Sequence, residues 1–279
     1  MRLKIIHETK YNFSSEVYLE PHQLRLKPKS TSFCVLDSFD LEIHPNPMAT
    51  REQIDPENNT IHFVWFQNKT KELIIRTNSL ITISEYNPFT FIIFPSQYLQ
   101  VPFNYTEELK TALFASLRNM DIDQSLKDYS SSVLEKSNNT IDFLTNLTQQ
   151  IHNDFELCYR HEGYPFDPNK TFNLKKGSCR DLAWMQIHLF RNLGIAARFV
   201  SGYYYIKVDK PKYELHAWGE LFIPGAGWVG FDPSYGVVTG NAHIALVSSS
   251  HFDQTMPVTG TIRGGGNSIL NTTLYINEL

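Results

Sequence analysis

The first hundred positions mix apolar with polar residues and read as strands. Residues 3–11 (Leu-Lys-Ile-Ile-His-Glu-Thr-Lys-Tyr) mix β-branched and aromatic side chains with polar ones, and 33–43, 61–66 and 72–84 do the same. A repeat of two puts successive side chains on opposite faces of a strand. Turn formers separate these stretches: Pro45-Asn46-Pro47, Pro56-Glu57-Asn58-Asn59 and Asn87-Pro88. Short strands so punctuated predict an antiparallel β-sandwich over residues 1–102.

The period changes after Pro102. Leu109, Leu113 and Leu117 recur at four, behind a Thr106-Glu107-Glu108 cap, which predicts a helix. A second helix is expected from Thr140, with Phe143, Leu144, Leu147 and Ile151 on one face. The polar stretch 130–139 reads as a linker or helix end, and 161–173, rich in Tyr, Pro, Asp and Asn, as a loop. A third helix starts near Cys179, carries Leu182, Ala183, Met185, Leu189, Phe190 and Leu193, and stops at Gly194. Residues 197–206, 214–223 and 227–232 then read as strands, and Gly264-Gly265-Gly266 as a turn before a final strand. The second expected unit is therefore 103–279, and the class is α+β.

Composition narrows the function. Apolar residues make up 42% and charged residues 19%, with 14 Tyr and 19 Phe, which suits a globular chain with an aromatic interior. A formal charge of -4 supplies no basic field, so nucleic acid is not an expected partner. No apolar run approaches the length of a membrane span, and charges interrupt the first residues, so no membrane association and a cytoplasmic location are expected. Cys34, Cys158 and Cys179 are too scattered for a disulfide framework, and there is no Cys-x-x-Cys pair for structural zinc.

The candidate chemistry begins at Cys179. On its own this cysteine reads more readily as a small buried apolar residue. Its place, where Gly177-Ser178 meets the start of a helix, gives it more: unpaired N–H groups and positive partial charge there favour a thiolate and a developing oxyanion. His216 lies in a strand-like stretch that ends at the turn Pro224-Gly225-Ala226-Gly227. The return strand Trp228-Val229-Gly230-Phe231-Asp232 follows. An antiparallel hairpin centred on Pro224 pairs 220 with 228, 218 with 230 and 216 with 232. That register sets His216 opposite Asp232 at about 5 Å. A shift of one residue would turn the carboxylate away. A carboxylate so placed holds the imidazole for the thiol.

These residues resemble the transglutaminase-like superfamily. The resemblance rests on Gly177-Ser178-Cys179-Arg180-Asp181-Leu182-Ala183, on residues 191–203 (Arg-Asn-Leu-Gly-Ile-Ala-Ala-Arg-Phe-Val-Ser-Gly-Tyr), on His216-Ala217-Trp218 and on 228–233 (Trp-Val-Gly-Phe-Asp-Pro). Upstream, 6–11 and Leu24-Arg25-Leu26-Lys27-Pro28 are similar to the β-domain that precedes this core in bacterial members. The resemblance implies a papain-like core with Cys179, His216 and Asp232 as nucleophile, base and orienter, acting on a peptide or protein substrate without a cofactor. Bacterial members often carry Phe-Ala-His where this chain has Leu182-Ala183-Trp184. The difference bears on pocket shape and leaves the three residues in place.

The implied reaction is attack of Cys179 on an amide carbonyl, followed by resolution of the thioester. The Cys179 N–H is a natural oxyanion donor, and Asn173 and Tyr159 are candidates for a second. Trp184 and Trp218, with Trp228, are candidates to line the cleft or to fill the core. Water as acceptor gives a cysteine peptidase or amidase, and an amine gives a transglutaminase. Hydrolysis is the expectation, because no separate amine site is identifiable. A non-catalytic scaffold retaining the fold is a further alternative. A metal site from His216, His243, His251 and Cys179 matches no compact ligand spacing, and no calcium loop is present, so no metal is expected.

Overall fold

The computed structural model describes residues 1–160, 163–208 and 211–279. Strands do form at the start: β1 (Arg2–Leu19), β2 (His22–Leu24), β3 (Cys34–His44), β4 (Ala49–Ile54), β5 (Thr60–Trp65) and β6 (Lys69–Ile83). Helices follow: α1 (Glu107–Ala112), α2 (Phe114–Leu117), α3 (Gln124–Leu134) and α4 (Thr140–Asp154). The two-residue strands β7 (Glu156–Leu157) and β8 (Lys176–Gly177) flank α5 (Pro168–Leu174). Then come α6 (Cys179–Asn192), β9 (Ala197–Ile206), β10 (Lys212–Ile223), β11 (Gly227–Asp232), β12 (Val237–Val238) and β13 (His243–Ser249). The chain closes with β14 (Val258–Thr259), β15 (Ile262–Arg263) and β16 (Ser268–Glu278).

Three layers of strands result. One sheet runs β15-β1-β6-β3 with β16 also on β1, and a second runs β14-β2-β5-β4. They form the expected antiparallel sandwich around Phe13, Val17, Leu24, Val64, Leu73 and Ile75. The third sheet, β12-β11-β10-β9-β13, is antiparallel throughout. It is covered on one face by α6, in a core that includes Leu182, Met185, Leu189, Ala217, Leu221 and Phe231. On its other face, Tyr203, Tyr205, Ile244 and Leu246 pack against Leu3, Ile5, Ile81 and Ile83 of the first sheet. The sandwich and the helix-backed sheet thus share buried apolar area, and removing that area from water is the main force holding such layers together.

Two features differ from the sequence reading, the return of the last strands and a helix within an expected loop, while residues 130–134 are a helix end as one of the expectations had it. The strands of 258–278 return to the sandwich, with Leu3 opposite Glu278 and Phe13 opposite Ser268. A boundary at 102 therefore does not separate all later residues from the sandwich. Long-range pairing of this kind leaves no local pattern. Residues 130–134 are the end of α3, whose inner face is Leu126, Ser130 and Val133. Ser130 closes its hydroxyl onto the Lys127 carbonyl, so a serine occupies an inward position without an unsatisfied group. The expected loop 161–173 contains most of α5, started by Asp167, which accepts from the N–H groups of Asn169 and Lys170, and by Pro168. Residues 161 and 162 of that loop lie outside the described residues. No helix among the described residues is long and apolar enough to cross a membrane.

Candidate active site

Asp181 anchors the start of α6. Ser178 precedes the helix, and its N–H and hydroxyl both donate to Asp181 Oδ2, at 2.7 and 2.6 Å. Arg160 adds donations from Nε (3.1 Å) and Nη2 (2.7 Å), and the Phe166 N–H adds one of 2.7 Å. A fully buried carboxylate that accepts so many donors fixes the turn. Gly177 is required beside it, since a Cβ there would lie 2.7 Å from Asp181 Cβ. The first helical residue, Cys179, is consequently held at the helix N-terminus, half-buried and unpaired by disulfide.

The β10–β11 hairpin carries the other two residues, in a register different from the expected one. Gly219 faces Phe231, Glu220 faces Gly230 and Phe222 faces Trp228, so the turn centres on Gly225 (φ +91°) instead of Pro224. The slip moves each partner by two positions, and two residues is one strand period. Asp232 therefore keeps the face of His216, two residues along the ladder, and its Oδ2 accepts from His216 Nε2 at 2.7 Å. Both side chains are buried. The same Oδ2 accepts from His243 Nε2 at 3.0 Å, while Oδ1 accepts the Ser234 N–H at 2.8 Å.

This network sets the charges. Burial alone would raise the Asp232 pKa, but His216 and then His243 hold it well below the usual carboxylate range. Burial disfavours a charge on His216, yet Asp232, the adjacent Cys179 thiol and Glu214 together raise its pKa well above 6.5. His243 is kept neutral, because burial outweighs the pull of Asp232. With Nε2 of His216 committed to Asp232, Nδ1 is the nitrogen left for the thiol. It is buried and holds no well-formed hydrogen bond.

His216, Asp232 and His243 offer ligand atoms within 4.8 Å of one another. The two imidazoles converge on a single carboxylate oxygen at hydrogen-bond distances, which fits a proton-mediated network and not ligands set about 2.0–2.2 Å from a common centre. His251, grouped with them from the sequence, instead bonds Asp253 at 2.6 Å on the exposed surface.

Cys179 and His216 open onto a cavity of about 430 Å³. Its far wall comes from the sandwich: His7, Thr9 and Tyr11 of β1, with Ser268, Leu270 and Thr272 of β16. His7 is bonded to the Tyr203 hydroxyl at 2.9 Å and is pushed down by burial to about 4. It is therefore a neutral wall residue near pH 7.

The other candidates lie elsewhere. Asn173 is exposed on α5 and Tyr159 is 78% exposed, and neither lines the cavity. Trp184 and Trp218 are both buried, so neither is a cleft wall. Trp184 packs edge-on against Phe252 (5.1 Å) and Phe199 (6.3 Å), which do line the cavity, and so acts from behind it. Trp218 backs His243 at 5.1 Å and His216 at 6.2 Å. Trp228 stacks under the Arg198 guanidinium at 4.1 Å. Sequence reasoning missed Glu214, whose Oε1 lies 3.2 Å from His216 Nδ1. The available signal was its spacing of two from His216 on a strand.

Comparison with known proteins agrees with this architecture. Residues 3–82 match the family described as "Bacterial transglutaminase-like N-terminal region", and residues 127–233 match the transglutaminase-like superfamily core. The chain belongs to the transglutaminase-like superfamily. It is similar to the uncharacterized protein Rv2569c of Mycobacterium tuberculosis, 22% identical with 99% of this chain and 92% of that one covered. It is also similar to the uncharacterized protein YebA of Bacillus subtilis, 23% identical over 76% of this chain and 28% of YebA. Among solved structures, a Cytophaga hutchinsonii protein described as a "Putative Cysteine Protease" shares the fold. Its TM-score is 0.74 at 19% identity, covering 99% of this chain and 90% of that one.

Proposed function

We propose that this protein is a cysteine-dependent acyl-transfer enzyme that cleaves amide bonds of peptides or proteins through a thioester. The observation that supports this best is the buried His216–Asp232 pair beside a cysteine at a helix N-terminus, with Cys179 and His216 lining one cavity and Asp232 behind them. In this reading Cys179 passes its proton to His216 Nδ1 and attacks the carbonyl. The Cys179 N–H, at the first residue of α6, stabilises the oxyanion. The imidazolium, held by Asp232, then protonates the departing amine, and its neutral form activates water to release the acyl group. The cavity wall, apolar side chains and hydroxyls with Arg180 among them, suits a peptide segment.

Water is the proposed acceptor. Incubation with a glutamine-containing protein and a labelled primary amine tests this. Cleavage products without incorporated amine support hydrolysis, and incorporation without cleavage would show a transglutaminase. If Cys179→Ala leaves the activity unchanged, the triad reading fails.

A further inference from the structure

We propose that Glu214 is a positioning residue of this site, whose carboxylate steadies the His216 imidazolium from the Nδ1 side while leaving the Nδ1 proton to Cys179. The proposal rests on the reading of Cys179 and His216 as nucleophile and base.

The geometry begins with strand parity. Glu214 precedes His216 by two residues on β10, so both side chains leave the same face. Glu214 Oε1 stands 3.2 Å from Nδ1 but is not seated as its hydrogen-bond acceptor, since Nδ1 has no such partner. That offset matters chemically. A carboxylate on the N–H axis would capture the proton that the sulfur must exchange. One beside the axis supplies attraction without competing for it.

Tyr235 fixes the offset. Its hydroxyl donates to the same Oε1 at 2.9 Å. The Tyr235 ring stacks on Tyr204 (4.4 Å, 14°), and the two rings stand 5.4 and 5.3 Å from His216. Tyr235 follows Asp232 by three residues, so one short segment delivers both the orienting carboxylate and the clamp on the second carboxylate. His216 is thus bracketed: Asp232 is fully buried at Nε2, and Glu214, 38% exposed, stands at Nδ1.

The titratable and charged groups facing this ring are Cys179 from α6, Asp232 and Tyr235 from the end of β11 and beyond, Tyr204 from β9, His243 from β13 and Glu214 itself. His243 is neutral, and both phenols are pushed up by burial. Glu214 is held below its ordinary range by His216, against the opposing effect of burial. Near neutral pH Glu214 therefore stands as a carboxylate beside the Cys179–His216 pair.

Alkylation of Cys179 by iodoacetamide needs no substrate and reads that pair. Rates are measured by peptide mass spectrometry across about pH 5 to 10 on the full-length protein, Glu214→Gln and Glu214→Asp. An ion pair gives a plateau that ends where His216 loses its proton. For a carboxylate this close but partly exposed, Glu214→Gln should bring that inflection down by about one pH unit. Glu214→Asp, which keeps the charge, should restore most of it. Coincident inflections in wild type and Glu214→Gln would overturn the role of Glu214 while leaving acyl transfer standing. A wild-type profile with no plateau would overturn both.

Discussion

Replacing Asp232 with Asn tests the electrostatic core of the site at constant side-chain size. The carboxylate accepts three N–H donors: His216 Nε2, His243 Nε2 and the Ser234 N–H. An amide offers one acceptor oxygen and two donors, so it cannot satisfy all three. At least one buried histidine must change tautomer or face a donor. The larger effect falls on the imidazolium. An opposite charge at 2.7 Å inside a buried pair favours the charged form by about 1 to 3 pKa units. Each unit corresponds to about 1.4 kcal/mol, so the Cys179–His216 ion pair should weaken by roughly ten- to a thousandfold. The assay is a nuclear magnetic resonance titration of the His216 ring in wild type and Asp232→Asn, with amide-cleavage rates alongside. The expected result is a His216 midpoint lowered by at least one unit and a parallel loss of rate. An unchanged midpoint in a folded variant would refute the coupling of these two residues.

Other consequences follow from the same contacts. Asp181→Ala removes a buried carboxylate that five donor contacts reach and leaves Arg160 without its partner, so urea denaturation should show a loss of about 3–5 kcal/mol. Gly177→Ala places a methyl against Asp181 Cβ, and its thermal unfolding should reveal a penalty of about 1–3 kcal/mol. His7 is buried and held near 4, against 6.5 for a free imidazole. The unfolded chain therefore binds the extra proton first, and His7 withdraws stability as pH falls below about 6.5, at up to about 1.4 kcal/mol per unit, until about 4. His7→Gln should flatten that limb of a stability-versus-pH curve.

Much of this was legible locally. The strands from Ala197 to Asp232 followed from their composition and turn residues. The His216–Asp232 pairing survived a mistaken register, because a slip of two preserves the face on which a strand residue points. What escaped was non-local or context-dependent. The wall formed by β1 and β16 depends on residues at opposite ends of the chain, such as Thr9 and Thr272, pairing in one sheet. The burial of Trp184 and Trp218 depends on which face of α6 and β10 meets the core, and aromatic residues serve core and cleft equally well. His243 reaches Asp232 only through the position of β13 on the far side of β9. Its histidine carried a metal-site alternative in the sequence and became a neutral hydrogen-bond donor in the fold.

The central claim is that Cys179 is activated by its place at the head of α6 and by His216. The chain holds its own controls, since Cys158 is also half-buried and Cys34 is buried, with its thiol pKa pushed up by burial to about 11. The most direct measurement is the iodoacetamide labelling rate of each cysteine in the native protein at mildly acidic pH, resolved by peptide mass spectrometry. The account predicts that Cys179 labels at least about tenfold faster than Cys158, and that His216→Ala abolishes the difference. Equal rates for Cys179 and Cys158 would contradict it.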